Sequence, residues 1–286
     1  MNWIIASLIM FASSVALYVL MRKAALLKIP TEFVNLSSMG IPFFLYITLA
    51  VRNNAHLSLT PTQLIIMILL SVFGSYLPNV ASLKSIKFAP NPGYSLIISK
   101  SYVVFTTIVA IFLFNSHLSI KSALAIAIII GFSILIMLGK SKPHAQSNSL
   151  WLPLSFVSFF GWGFLSIGTK YAFTTGLNIY QRLVFLSIFV TSFIVTEIVV
   201  RKVTFPSLKP THIFLLIVIG ALSSSFNFFM TLGIDLAPNI GYVNAINASS
   251  ISAVTVFSAL LFKDDFSMKK FLGVMGVTAG LLLLIL

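Results

Sequence analysis

Apolar stretches of about 20 residues alternate along this chain with short polar breaks, a spacing that predicts ten membrane-length helices. The predicted helices cover residues 3–21, 33–51, 61–83, 91–114, 119–138, 151–169, 179–200, 211–232, 239–262 and 266–286. Arg22-Lys23, Arg52-Asn53-Asn54, Lys84 and Lys87 punctuate the first half. Pro61 suits the first turn of a helix, where its missing N–H has no partner in any case. The longest polar connector, Lys140 to Ser149, contains Pro143 and reads as a boundary. Continuous apolar runs without period-2 alternation set aside a β-barrel. The expected fold is therefore an all-α membrane protein.

One stretch occurs twice. Ala89-Pro90-Asn91-Pro92-Gly93-Tyr94 returns as Ala237-Pro238-Asn239-Ile240-Gly241-Tyr242, an offset of 148 residues (89 to 237), and each copy opens a long apolar run. The same offset pairs Trp3 with Trp151, Asn79 with Asn227, Ser119-Ile120-Lys121 with Ser267-Met268-Lys269, and Leu124 with Leu272. So long a period marks a duplicated half, not a solenoid unit. Residues 1–142 form the expected first five-helix repeat, 143–149 a polar linker, and 150–286 the second repeat. Five is odd, so the second half is expected to enter the membrane upside down relative to the first, as inverted repeats do.

Composition agrees. The chain is 58% hydrophobic and 8% charged, with a formal net charge of +13, against about 25% charged residues in a soluble domain. The basic residues sit singly at run ends, which fits membrane topology signals better than a nucleic-acid surface. Thirteen lie in or beside the connectors after the odd-numbered helices and four after the even-numbered ones. By the positive-inside rule both termini would face away from the cytoplasm. Met1-Asn2-Trp3 lacks a basic leader segment, so the first run is expected to be a retained helix. Without cysteine there is no disulfide or thiolate metal site, and no cofactor or metal is expected.

Lys100 is the candidate that matters most. It falls well inside the fourth run, where a lysine at the bilayer centre costs ~2.5–3.5 kcal/mol on the insertion scale. Such residues usually face a cavity and mark a path for substrate or ions; the alternative is a stem bent toward an interface, or a structural pairing with a carbonyl. An anion contact is its most direct role. Ser99 precedes it, and their equivalents in the second half are Asn247 and Ala248. Asn244 and Asn247 lie three apart and so share a helix face. Asn79 and Asn227 form a further repeat-related pair, with Tyr76 beside the first. Each amide must be hydrogen-bonded at membrane depth, either to cargo or as glue between helices. Trp162, between Gly161 and Gly163, falls mid-run and is expected to line a pocket. Gly276 and Gly280 with Gly273 suggest close helix packing. Glu32, Glu197, Asp235, Asp264 and Asp265 fall near run ends, and no HExxH, GxSxG or Walker A motif is present. An enzyme is not expected.

With these residues in view, the chain resembles the drug/metabolite transporter superfamily, specifically its EamA-type ten-helix members. Trp162-Gly163 followed by Lys170 is similar to the family's first helix of a repeat, Ala237-Pro238 to its ninth-helix opening, Phe262-Lys263-Asp264-Asp265 to its acidic turn, and Gly273 and Gly280 to its last helix. The first half departs from that pattern: Ala12-Ser13 stands for Trp-Gly, Ser116-His117 for the acidic turn, and helices 4 and 9 lack a central proline. The resemblance implies alternating-access movement of a small metabolite through a cavity lined by helices 3, 4, 8 and 9, with contributions from helix 6. It also implies cytoplasmic termini, against the charge count, and orientation stays open. The expected cargo is an amino acid or another small organic anion or zwitterion, with Lys100 as counter-charge. The alternatives are an exporter of lipophilic or cationic compounds and a non-transport membrane subunit. The expected partners are a small-molecule substrate and the lipid bilayer, with no nucleic acid. The expected setting is the inner membrane, the starting expectation for assembly a monomer.

Overall fold

The computed structural model of the protein describes residues 1–89, 92–138, 148–203, 209–263 and 266–286. Pro90-Asn91, most of the 143–149 linker and Asp264-Asp265 lie outside the described residues. Ten helices are long and apolar enough to cross a membrane: α1 (Trp3–Leu26), α2 (Thr31–Arg52), α3 (Pro61–Phe88), α4 (Tyr94–Phe114), α5 (Ile120–Met137), α6 (Trp151–Thr174), α7 (Ile179–Val200), α8 (Pro210–Leu236), α9 (Ile240–Phe262) and α10 (Met268–Ile285). The chain is a multi-pass, all-helical membrane protein, with no strand among the described residues.

Local chemistry sets the ends. Asn2 caps α1 by accepting from the Ile5 N–H. Thr60 with Gln63, and Asn178 with Gln181, close capping boxes ahead of α3 and α7. α4 and α9 both stop on a left-handed residue, Asn115 (φ 49°) and Lys263 (φ 57°), which stand 148 positions apart. Several helices outrun their predicted ends: α3 reaches Phe88, α6 reaches Thr174 and α8 reaches Leu236. Lys84, Lys87 and Lys170 are therefore helical residues near helix ends, not connector residues.

Two spans are irregular. Leu70–Tyr76 of α3 is π-helical. Pro78 follows it and offers no N–H to the Gly74 carbonyl, so the ladder widens there. α4 is broken at Ser101, between helical segments Pro92–Lys100 and Tyr102–Phe114. No proline is involved. The Ser101 hydroxyl instead bonds back to the Ile97 carbonyl at 2.7 Å, a local competition that bends helices.

Most of the packing joins the two halves. α1 lies on α8 and α9, α6 on α3 and α4, α2 on α7 and α8, and α5 on α10. Lipid tails are as apolar as leucine, so helices associate through close packing and hydrogen bonds, not through hydrophobic burial. The contacts show this. A Cβ added at Gly273 would lie 2.5 Å from Ile136 Cγ1, one at Gly276 2.0 Å from Phe132 Cγ, and one at Gly280 2.9 Å from Ile128 Cγ2, so the glycine stripe of α10 does seat α5 closely. Ser13 meets Ser225 at 2.7 Å and Ser14 donates to Ser250 at 3.1 Å.

Contacts recur at the repeat offset. Trp3 of α1 stacks near Tyr242 of α9, with centroids 5.7 Å apart, and Trp151 of α6 meets Tyr94 of α4 at 6.4 Å. Ser14–Ser250 corresponds in the same way to Trp162–Tyr102, whose rings meet edge-on at 6.2 Å.

Gly161 tests the seating of α6. A Cβ there would fall 2.0 Å from Pro78 Cγ and 2.8 Å from the Phe73 carbonyl, neither of which can swing away, whereas one at Gly131 meets nothing within 4 Å. Gly161→Ala is expected to destabilise the bundle by ~1–3 kcal/mol, as overpacking does. Gly131→Ala should be neutral or slightly stabilising. Melting temperatures in detergent separate the two.

Candidate functional site

The site begins with the way α6 sits on α3. Pro78 opens the α3 ladder, Gly161 lets α6 approach that point, and Ser158 donates to the Pro78 carbonyl at 3.0 Å. One residue past Gly161, the Trp162 indole points back to α3 and its Nε1–H donates to Asn79 Oδ1 at 3.2 Å. The indole is thereby fixed as a platform. Lys100 Nζ lies over it, 4.8 Å from the ring centroid, and 6.0 Å from the ring of Tyr18 on α1.

Lys100 stands at the break in α4, about 12 Å along the helix from Pro92. That is shallower than the mid-span position its place in the run suggests. It keeps partial exposure, and no carboxylate pairs with it among the described residues. Cation–π contact returns ~0.5–2 kcal/mol and brings no opposite charge. The rings thus hold the ammonium without satisfying it.

α9 closes the far wall. Asn244 is fully buried; its Nδ2 donates to Thr106 Oγ1 of α4 at 2.9 Å, and its Oδ1 accepts from Ser166 of α6 at 3.3 Å. This amide ties three helices together. Asn247, one turn on, lies within hydrogen-bonding reach of the Tyr102 hydroxyl, yet its buried Oδ1 has no partner. An orphaned buried acceptor costs ~1–3 kcal/mol.

Three of the residues singled out from the sequence go elsewhere. Tyr76, carried on the π-helical turn, reaches α7, where its hydroxyl donates to Glu197 Oε2 at 3.0 Å; Glu197 in turn pairs with Arg201 at 2.8 Å. The Ser99 hydroxyl bonds back to the Ser95 carbonyl at 2.9 Å. The Asn227 amide is spent on Ser223, one turn behind it, at 2.9 Å. Lys100, Asn79 and Trp162 are brought together, Asn244 and Asn247 line the neighbouring packed face, and Tyr18 and Tyr102 join the group unannounced. Tyrosines inside apolar runs, with hydroxyls to satisfy, were the available signal.

Burial differs sharply between the two marked helices. Asn239 to Ser250, the start of α9, is buried throughout, whereas Leu96, Ile97, Ile98, Lys100 and Ser101 near the start of α4 stay partly exposed. A Cβ at Gly241 would lie 1.9 Å from Thr107 Oγ1, the Asn239 amide donates to the Thr107 carbonyl at 3.4 Å, and Tyr242 donates to the His117 carbonyl at 2.9 Å. α9 is thus packed shut against α4 at the end carrying these residues, while the described start of α4 keeps more exposed, looser side chains. Open grooves elsewhere, one of about 430 Å³ between α2 and α7 at Gly40, Phe43 and Thr191 and one on α5 at Leu124 and Gly131, lie apart from Lys100.

No family model and no curated protein matches this chain. Solved structures do match. One, described only as "Crystal structure of protein", is 11% identical, covers 98% of each chain and superposes with a TM-score of 0.78. At that identity the likeness concerns the fold alone.

The chain has no native cysteine, so single-cysteine variants need no altered background. Tyr18 is 38% exposed and Thr107 is 4% exposed or less. A water-soluble maleimide is expected to label Tyr18→Cys and leave Thr107→Cys untouched in membranes opened to both faces. Protection of both would place the Lys100 surroundings against lipid or packed protein.

Proposed function

We propose that this protein is a secondary carrier that moves a small organic anion or zwitterion across the membrane by alternating access. The observation that carries the reading is Lys100: a partly exposed ammonium inside a membrane-spanning helix, held over Trp162 and Tyr18 and matched by no carboxylate among the described residues. A charge kept at that depth needs a partner, and a cargo carboxylate or phosphate supplies one.

The architecture is read as two inverted five-helix repeats of the drug/metabolite transporter kind. Three observations support this. Each half contributes five spans. The aromatic pairs Trp3–Tyr242 and Trp151–Tyr94 interchange when the halves are exchanged. So do the helix contacts α1–α8 with α6–α3, and α1–α9 with α6–α4. The unequal burial of the starts of α4 and α9 suits one of two alternating states, closed near Thr107 and Gly241 and accessible near Lys100.

The aromatic surroundings favour a second cargo class. Trp162, Tyr18 and Tyr102 together resemble a box for a cation, and Lys100 would then occupy it between cycles. Proteoliposome uptake decides between the two. Lys100→Ala is expected to lower flux of the anionic or zwitterionic cargo at least tenfold. Flux that is unchanged for anions and rises for quaternary ammonium compounds would transfer the site to cations.

A further inference from the structure

Arg182 is the second basic side chain held inside the bundle, and it is 3% exposed. The Asn178–Gln181 capping box starts α7 just ahead of it, so Arg182 belongs to the first helical turn and is turned inward. Its Nη2 donates to Thr169 Oγ1 on α6 at 3.4 Å. Nε and Nη1 are buried and have no partner. Across from it on α2 lies Tyr46, a neutral phenol whose hydroxyl donates to the Ser224 carbonyl at 2.7 Å. The positive end of the α7 dipole adds to the local charge and does not offset it. Glu197 is on the same helix but pairs with Arg201 at the opposite end. A cation buried inside a membrane protein pairs with a carboxylate or backbone carbonyls, or faces a polar cavity; among the described residues Arg182 bonds no carboxylate and no carbonyl, only the Thr169 hydroxyl.

The partner of Arg182 also connects it to Lys100. Trp162, Ser166 and Thr169 lie four and then three residues apart, on one face of α6. The first sits under Lys100 at 4.8 Å, the second donates to Asn244 at 3.3 Å, and the third accepts from Arg182. Seven residues of helix put the two ends of this stripe about 10 Å apart. Two unmatched cations thus face the two ends of one polar stripe, with the shut contact between α4 and α9 beside its middle.

We propose that Arg182 is a second anion station on the route that begins at Lys100, and that the cargo presents a carboxylate or phosphate. The inference rests on the carrier reading above and narrows it to anion-bearing cargo. Guanidinium donors suit such groups because planar N–H pairs match their oxygens. The cargo group leaves the ammonium at the looser end of the bundle and reaches the guanidinium at the shut end when the α4–α9 contact opens.

The test uses the purified full-length protein in mild detergent, with acetate, inorganic phosphate or choline as probes. Acetate or phosphate is expected to raise the melting temperature of the unmodified protein while choline does not. Arg182→Gln should weaken that anion response at least tenfold in apparent affinity, and Arg182→Lys should keep most of it. Without anion, Arg182→Gln should melt no lower than the unmodified protein, because it removes a charge that nothing in the fold neutralises. An undiminished anion response in Arg182→Gln overturns the proposal, and so does the absence of any anion response in the unmodified protein. If Arg182→Gln does not fold, the unmodified protein and Arg182→Lys carry the test by the same responses. Flux distinguishes the two readings: equal uptake by the unmodified protein and Arg182→Gln removes the station and leaves the carrier. Anion binding lost in Arg182→Gln, with no uptake by the unmodified protein, keeps Arg182 as an anion-binding site but overturns the carrier and the route between the two cations.

Discussion

Positive charge held inside the helix bundle is the constraint on which this structure turns. Water solvates an ammonium or guanidinium cheaply, and hydrocarbon does not. The chain nevertheless holds Lys100 at the break of α4 and Arg182 within the first turn of α7, and neither meets a carboxylate among the described residues. Around Lys100 the fold supplies ring faces, which steady a cation without neutralising it. Around Arg182 it supplies one threonine hydroxyl and a neutral phenol. Neither arrangement neutralises the charge that it holds.

The geometry that holds these cations is built from small residues and backbone exceptions. Pro78 withholds an N–H, the α3 ladder widens, and α6 can then press Gly161 and Ser158 against the irregular turn. Trp162 is positioned as a consequence, and Lys100 finds its platform. Elsewhere the same economy holds: serine meets serine between α1 and α8 and between α1 and α9, and glycine meets side chain or carbonyl between α10 and α5. In lipid these contacts carry the specificity that an apolar core carries in water.

Much of this was legible in the sequence, for reasons particular to its residues. Runs of apolar side chains fix ten spans because lipid forces every backbone group into a helix, and the spans appear where the runs do. The repeated Ala-Pro-Asn stretch marks the starts of α4 and α9, which pack on each other, and Trp3 and Trp151 sit on the tyrosines that close its two copies. Lys100, Asn79 and Trp162 were recognisable as polar groups in apolar surroundings. Tyr76 points to Glu197 and away from Lys100 because a π-helical turn rotates side chains off the regular 100° step, which no periodicity reveals. Ser99 and Asn227 satisfy themselves on their own helices, an outcome that composition cannot distinguish from a hydrogen bond to cargo. Arg182 counts among the four basic residues in or beside the even-numbered connectors, because it follows the sixth-to-seventh link by one turn. The Asn178–Gln181 spacing, a capping box that starts the helix ahead of it, was the signal that placed it inside.

Neither cation has a counterpart in the other half. Position for position, Lys100 corresponds to Ala248 and Arg182 to Val34, and Pro78, which widens α3, corresponds to Phe226 in the unbroken α8. The two cations are chemically unlike, one a flexible ammonium on aromatic rings and the other a rigid planar fork. In a carrier of the kind proposed, one solute would bind the two with different strength, the cycle would run between wells of unequal depth, and that inequality would bias which side releases its load more readily.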